Sequence, residues 1–315
     1  MGSVTFIRAV ECWVPSVDRS LLEFGGGLYG SATRFAAQSR DMVFGCGEGL
    51  PGAAWEAGHP IVLRDLSHPS FRRAALARAE GLTCGIAVPL FAGDFLTSVL
   101  VIFCGDDEQT AGAIELWHND PARSRDMTLV DGHYGTTGDA FELISRSIAF
   151  REGTGLPGLA WASGLPVFVE DLGRGDRFLR ADSAVKVGIN RGVAVPCSTP
   201  DAQHYVITLL SALATPIARR FEIWQPDGGR RHLTLTDGFC EHEGSLMDRP
   251  APVPIEKGQG AIGRAFLTGA PAMTDSAAEE PAGVGPAASA AGCHSLVALP
   301  VLREGRLRAV LAWYL

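Results

Sequence analysis

The chain has 315 residues, 46% of them apolar and 20% charged, with a formal net charge of −8 and a pI near 5.5. That is an ordinary globular composition, long enough for two or three domains. The acidic balance argues against a nucleic-acid partner or an anionic membrane surface, and no apolar run approaches the length of a membrane span.

Seven cysteines, at positions 12, 46, 84, 104, 197, 240 and 293, show neither zinc-knuckle nor redox spacing. Such usage fits a reduced, cytoplasmic protein. Met1-Gly2-Ser3 opens the chain with Phe6 where a myristoylation signal needs Ser or Thr, and no signal peptide is visible.

In chain order, Thr5 to Trp13 and Leu21 to Phe24 read as a hairpin turning at Pro15-Ser16-Val17-Asp18, broken by Gly25-Gly26-Gly27. Ser31 to Phe44 reads as a helix with Ser31 at its N-cap. A glycine-rich stretch follows, Gly47-Glu48-Gly49-Leu50-Pro51-Gly52, with helical turns around Trp55 and then a short strand from Pro60 to Leu63. The polar segment Ser67 to Glu80 reads as partly helical, and Gly85 to Phe91 and Leu96 to Cys104 as two closing strands.

The same order then recurs. Strands are expected at Ala113 to Trp117 and Met127 to Val130, a helix from Asp139 to Phe150, and closing strands at Gly192 to Cys197 and His204 to Leu213. Between them lies Gly153-Thr154-Gly155-Leu156-Pro157-Gly158. A third copy opens with Arg220 to Trp224 and His232 to Thr236, but Pro250, Pro252 and Pro254 stand where the helix should be. Its segment Asp275 to Ala291 reads as a loose loop.

Three landmarks hold register. The last glycine of each string is Gly52, Gly158 or Gly263, 106 and 105 residues apart. Glu11-Cys12-Trp13, Glu115-Leu116-Trp117 and Glu222-Ile223-Trp224 line up, as do the strands ending at Pro89, Pro196 and Pro300. At about 105 residues the repeat is domain-sized. The expected units are 1–108, 109–215 and 216–315, the last degenerate. A dinucleotide site is disfavoured, because the glycine strings do not follow the strand of a βαβ unit.

The hairpin, helix and glycine string, followed by Gly-x-Pro, a short strand and two closing strands, resemble the GAF domain, with the related PAS fold as runner-up. The resemblance implies an α+β chain of three consecutive GAF/PAS-like units, each a five- to six-stranded antiparallel sheet flanked by short helices. It also implies a small-molecule pocket between sheet and helices. The closing strands are apolar on both faces, which calls for cover on each side. The units are therefore expected to pack on one another through these sheet faces, or the chain to oligomerise, and a protein partner or a homo-oligomer is expected.

Pocket candidates in the second unit are Tyr134, Arg146, Trp161, Asp171, Arg177, Arg180 and Asn190. In the first they are Tyr29, Arg34, Trp55, Asp65, Arg72 and Arg73. Aromatics mixed with arginine suit a small anionic or aromatic ligand. The resemblance to free methionine sulfoxide reductases, themselves GAF proteins, points to Cys84 and Cys293 as candidate reactive thiols; Cys293-His294 also has the residue pair of a bilin attachment site. The cyclic-nucleotide signature of the family is absent, no cofactor is indicated, and the eight histidines show no metal-binding pattern. The reading is a non-enzymatic sensor acting through a partner. The alternatives are an adaptor with side-chain-filled pockets and, behind it, a thiol enzyme.

Overall fold

The computed structural model describes residues 5–68, 71–105, 111–281 and 283–315. The Met1-Gly2-Ser3 reading, part of the polar segment after Ser67, and the expected boundary at 108/109 lie outside these residues.

The first sheet is built from β1 (Ile7–Pro15), β2 (Leu21–Leu28), β3 (Val43–Gly45), β4 (Ile61–Leu63), β5 (Cys84–Ala92) and β6 (Phe95–Cys104). The helices α1 (Thr33–Arg40), α2 (Gly49–Ala57) and α3 (Ala74–Ala79) intervene. The strand order is β3-β2-β1-β6-β5-β4, antiparallel throughout.

The second sheet repeats it with β7 (Gly112–Asn119), β8 (Asp126–His133), β9 (Ala149–Arg151), β10 (Val167–Val169), β11 (Arg191–Cys197) and β12 (His204–Ser211). Its order, β9-β8-β7-β12-β11-β10, is the same, and α4 (Asp139–Ser147), α5 (Gly155–Ser163) and α6 (Ala181–Lys186) are its helices.

The third sheet uses β13 (Arg220–Pro226), β14 (His232–Cys240), β15 (Gly244–Ser245), β17 (Ala272–Thr274), β18 (Leu296–Arg303) and β19 (Arg306–Tyr314), in the order β15-β14-β13-β19-β18-β17. The short β16 (Ile255–Glu256) pairs with β14, and α7 (Gly260–Thr268) and α8 (Gly285–Ala290) complete the unit. The chain is thus α+β, three units of curled antiparallel sheet with short helices. By compactness it forms two bodies, Met1–Ile217 with the first two sheets and Ala218–Leu315 with the third. Inside the first body, Arg64 pairs with Asp131, and the His59 ring stacks on Tyr205 at 4.8 Å.

The glycine string has the same use in every unit. A Cβ on Gly52, Gly158 or Gly263 would collide with the backbone oxygen of Gly45, Arg151 or Glu256, so only glycine lets the helix pass that strand. Gly49, Gly155 and Gly260 turn at φ 59°, 65° and 60° to start the helix. Trp55 packs partly buried against the first core, while Trp161 and Phe266 are buried in the second and third.

Four expectations are corrected. Gly25 to Gly27 do not break β2, which runs on to Leu28; a bulge opposite Cys12 and Trp13 absorbs the irregular glycines. The helix expected from Ser31 ends at Arg40, because Val43 to Gly45 leave it to pair with β2 as an edge strand. Likewise the helix expected to reach Phe150 stops at Ser147, and β9 follows. The segment expected as a loose loop in the third unit carries α8, started by Pro286 in the first turn, where its missing N–H costs nothing.

Both faces of each sheet are buried. On one lie the helices and the aromatic cores. On the other, Leu100, Leu209 and Leu311 are each 2% exposed or less.

Candidate functional site

A buried glutamate sits at the centre of each sheet. Glu11, Glu115 and Glu222 are fully buried, and each accepts a hydrogen bond from the indole Nε1 of the tryptophan two residues on, at 3.0, 3.1 and 2.9 Å. The period of two in a strand puts both side chains on the same face, here the helix-covered one. A charge there is tolerated only if it is paired and hydrogen-bonded.

In the first unit the partner is Arg73, from the residue before α3. It binds both Glu11 oxygens, one of them at 3.0 Å through Nη2, and donates to the Ser39 hydroxyl on α1. Tyr29 Oη donates to Glu11 at 3.0 Å. The guanidinium lies 4.2 Å from the Phe35 ring centre and 5.3 Å from that of Phe71, within cation–π range.

The second unit builds the same cluster. Arg180 binds both oxygens of Glu115 and donates to Ser145, Tyr134 donates to Glu115 at 3.0 Å, and Thr208 adds a bond of 2.8 Å. Phe178, Phe141 and Trp117 surround the guanidinium at 4.8 to 5.3 Å. Burial pushes the Glu115 carboxyl up, but Arg180 and the hydroxyl donors outweigh it and hold the group below the ordinary carboxylate range. Burial, and then the glutamate charge, raise Tyr29 and Tyr134 well above an ordinary phenol, so both stay neutral donors.

The third unit keeps the glutamate and changes its partners. Arg220, on the same strand, pairs with Glu222 at 2.7 Å, and Tyr314 from β19 donates at 2.8 Å. The strand registers make the exchange legible. Glu11, Glu115 and Glu222 pair with Gly27, Gly132 and Gly238; two residues on stand Tyr29, Tyr134 and Cys240. The same glutamates pair with Val101, Thr208 and Ala312, two residues before Phe103, Leu210 and Tyr314. The arginines lie four residues before Ala77 and Ala184, whose carbonyls accept from Leu82 and Ile189. Ala288 accepts likewise from Cys293, and four residues before it stands Val284, 1% exposed. So where Ala9 and Ala113 go with Arg73 and Arg180, Arg220 goes with Val284.

Among the expected pocket residues, then, Tyr29, Arg73, Tyr134 and Arg180 converge, but on a glutamate of their own chain. The remainder scatter. Arg34 and Arg177 are exposed, Arg72 pairs with Glu48 and Arg146 with Glu142 at the surface. Asp65 and Asp171 accept backbone N–H bonds from Ser67 and Gly173, closing turns at 2.7 and 2.9 Å. Trp161 is a core side chain beside His204. The Asn190 side-chain oxygen is buried and finds no hydrogen-bond partner among the described residues. Sequence reasoning used Glu-x-Trp only as a repeat marker. A charge recurring at an inward position of an apolar strand was the available signal.

The thiols are poorly placed for chemistry. Cys84 is fully buried, and Cys293 is 1% exposed with burial pushing it up to about 11, so thiolate is scarce. Of the seven cysteines only Cys46 is exposed. Titration of the native protein with an aromatic disulfide should therefore show one fast thiol, at Cys46. Fast modification of Cys84 would reinstate it as a nucleophile.

No group of three or more His, Cys, Asp or Glu among the described residues is arranged to hold a metal, and no helix of the described residues is long and apolar enough to cross a membrane. No family model matches the chain, and no curated protein sequence is similar to it. Solved structures resemble parts of it. The free methionine-R-sulfoxide reductase of Neisseria meningitidis, in complex with its substrate, matches at 20% identity over 31% of this chain and 52% of that one, with a TM-score of 0.25. The A. aeolicus nlh2 GAF domain in an inactive state matches at 22% over 32% and 60%, TM-score 0.26. NreA from Staphylococcus aureus, mutated in its nitrate-binding site, matches at 20% over 32% and 74%, TM-score 0.26. The matches span about half to three quarters of those chains.

Proposed function

We propose that this chain is a non-catalytic regulatory or adaptor protein whose GAF-like interiors are filled by its own side chains, so that its activity resides in its surfaces. The observation that carries the reading is the Glu–Arg cluster between sheet and helices. In the first two units a guanidinium stacked among aromatic rings lies in the region where the resemblance places a ligand, and it is already neutralised by Glu11 or Glu115.

Opening such an interior to a ligand would strand a buried charge, a costly change. The sensor reading is second. It is favoured by a cleft of about 290 Å³ in the first unit, lined by Asp65, Ser67, Arg78 and Thr83 among others, and its partner would still be a protein, since a small-molecule signal needs a receiver.

A thermal-shift screen against nucleotides, bilins, amino acids and aromatic acids, with native mass spectrometry for co-purified ligand, separates the two. A ligand at a hundredfold excess over its Kd stabilises by about 2.7 kcal/mol. The adaptor reading expects no shift and no bound mass. A stoichiometric ligand would replace it with the sensor.

A further inference from the structure

The duplicated units supply an internal control for the surface. α1 and α4 match through Phe35 and Phe141, and through Ser39 and Ser145, all buried; α3 and α6 match through Arg73 and Arg180. At the outward positions of this shared frame the first unit carries Ala37, Gln38, Arg72 and Arg78, all exposed. The second unit carries Leu143, Ile144, Leu179 and Val185, exposed by 69%, 37%, 49% and 57%. The same fold accepts alanine or polar side chains at these places, so its stability does not demand the large apolar ones. Four exposed large apolar side chains, Leu143 and Ile144 on α4, Val185 on α6 and Leu179 just before it, mark a contact surface.

We propose that this α4–α6 face of the second unit is the interface of a symmetric homodimer. Its shape and charge fit a second copy of the same chain. Ile144, Ile148 and Leu179 help to wall a cleft of about 440 Å³, and the neighbouring Leu143 stands out from the same face. A two-fold interface is self-complementary: each copy supplies both the projecting leucine and the cleft that takes it.

The polar rim obeys the same symmetry. α4 begins with Asp139 and Glu142 and ends with Arg146, which pairs with Glu142 of its own chain; α6 begins with Asp182 and ends with Lys186, so Asp139, Asp182 and Lys186 are the rim charges that face a second copy. A two-fold axis between antiparallel copies sets acidic starts against basic ends. The rim thus matches itself locally although the whole chain carries −8. The dimer does not depend on the adaptor reading, because it needs nothing of the interior.

The test gives the second unit the first unit's surface. The full chain with Ile144→Gln, Leu179→Arg and Val185→Arg is compared with the parent by sedimentation velocity across the micromolar range. The parent should be a dimer. The triple variant should self-associate at least about a hundredfold more weakly, as loss of central interface anchors does, with an unchanged circular-dichroism spectrum. A parent that stays monomeric throughout overturns the proposal, as does a triple variant that dimerises like the parent. If the triple variant misfolds, Leu143→Arg alone decides in the same way, since Ala37 shows that the fold needs no large apolar side chain there.

Discussion

Replacing Arg180 with Leu should destabilise the second unit by about 3–5 kcal/mol, the usual result of leaving one partner of a buried ion pair behind. Adding Glu115→Leu should return roughly half of that loss, because the stranded charge goes with it, while Tyr134, Ser145 and Thr208 still lack their partner. Hydrogen exchange of the β7 and β12 amides is the suitable readout. A chain of several units has no single well-defined melting transition, whereas exchange reports each region separately.

Acid supplies an independent check. Glu115 is held below the 4.5 of a free side chain, so its stabilising contribution is complete above that value and is lost as pH falls through the lower folded-state value. With Arg180 gone, burial, the largest influence, is opposed only by the Thr208 and Tyr134 hydroxyls, and the carboxyl should move above 4.5. Lowering the pH should then stabilise the variant relative to its neutral state, reversing the slope. An Arg180→Leu protein with the parent's protection and pH slope would show that the cluster contributes nothing.

The second large effect concerns the third unit. Arg220→Ala should cost about 3–5 kcal/mol for the same reason, leaving Glu222 buried beside Trp224 and Tyr314. Arg220→Ala combined with Val284→Arg should recover at least half, because alanine and arginine are what the first two units hold at these places. Protection of the β13 and β19 amides reads the outcome. A double variant no better than Arg220→Ala would mean that the arrangements are not interchangeable.

Much of this architecture can be read from the sequence, for identifiable reasons. The glycine strings show because close backbone approach excludes every other residue at Gly52, Gly158 and Gly263. The two closing strands of each unit show because their apolar runs are long and end at clear turns. The short edge strands β3 and β9 do not show, since Val43-Phe44-Gly45 and Ala149-Phe150-Arg151 continue helical-looking segments and only pairing with β2 and β8 makes them strands. α8 is missed because its alanines, glycine and proline resemble a linker, while Val284 and Ala288 bury against the core.

The site is half legible for a different reason. Tyr29, Tyr134, Arg73 and Arg180 draw attention as aromatic and cationic groups near a supposed pocket. The carboxylate they serve lies 18 to 65 residues away in sequence, and only the closed sheet brings it to them. Leu143, Ile144, Leu179 and Val185 look like core residues in a sequence. Their exposure depends on which way two helices face.

The relocated cation also constrains how the third unit diverged. If the helix arginine had been lost before the strand arginine arrived, descent would have passed through a form with a naked carboxylate in its interior, short of several kcal/mol that a marginally stable domain rarely has to spare. Gaining Arg220 first avoids that gulf, since a surplus cation beside one glutamate can turn toward Glu243, as Arg220 does now at 3.2 Å. For any unit that passes from the helix arginine to the strand arginine, gain before loss is therefore the lower-cost order, with Glu243 available to take the surplus cation.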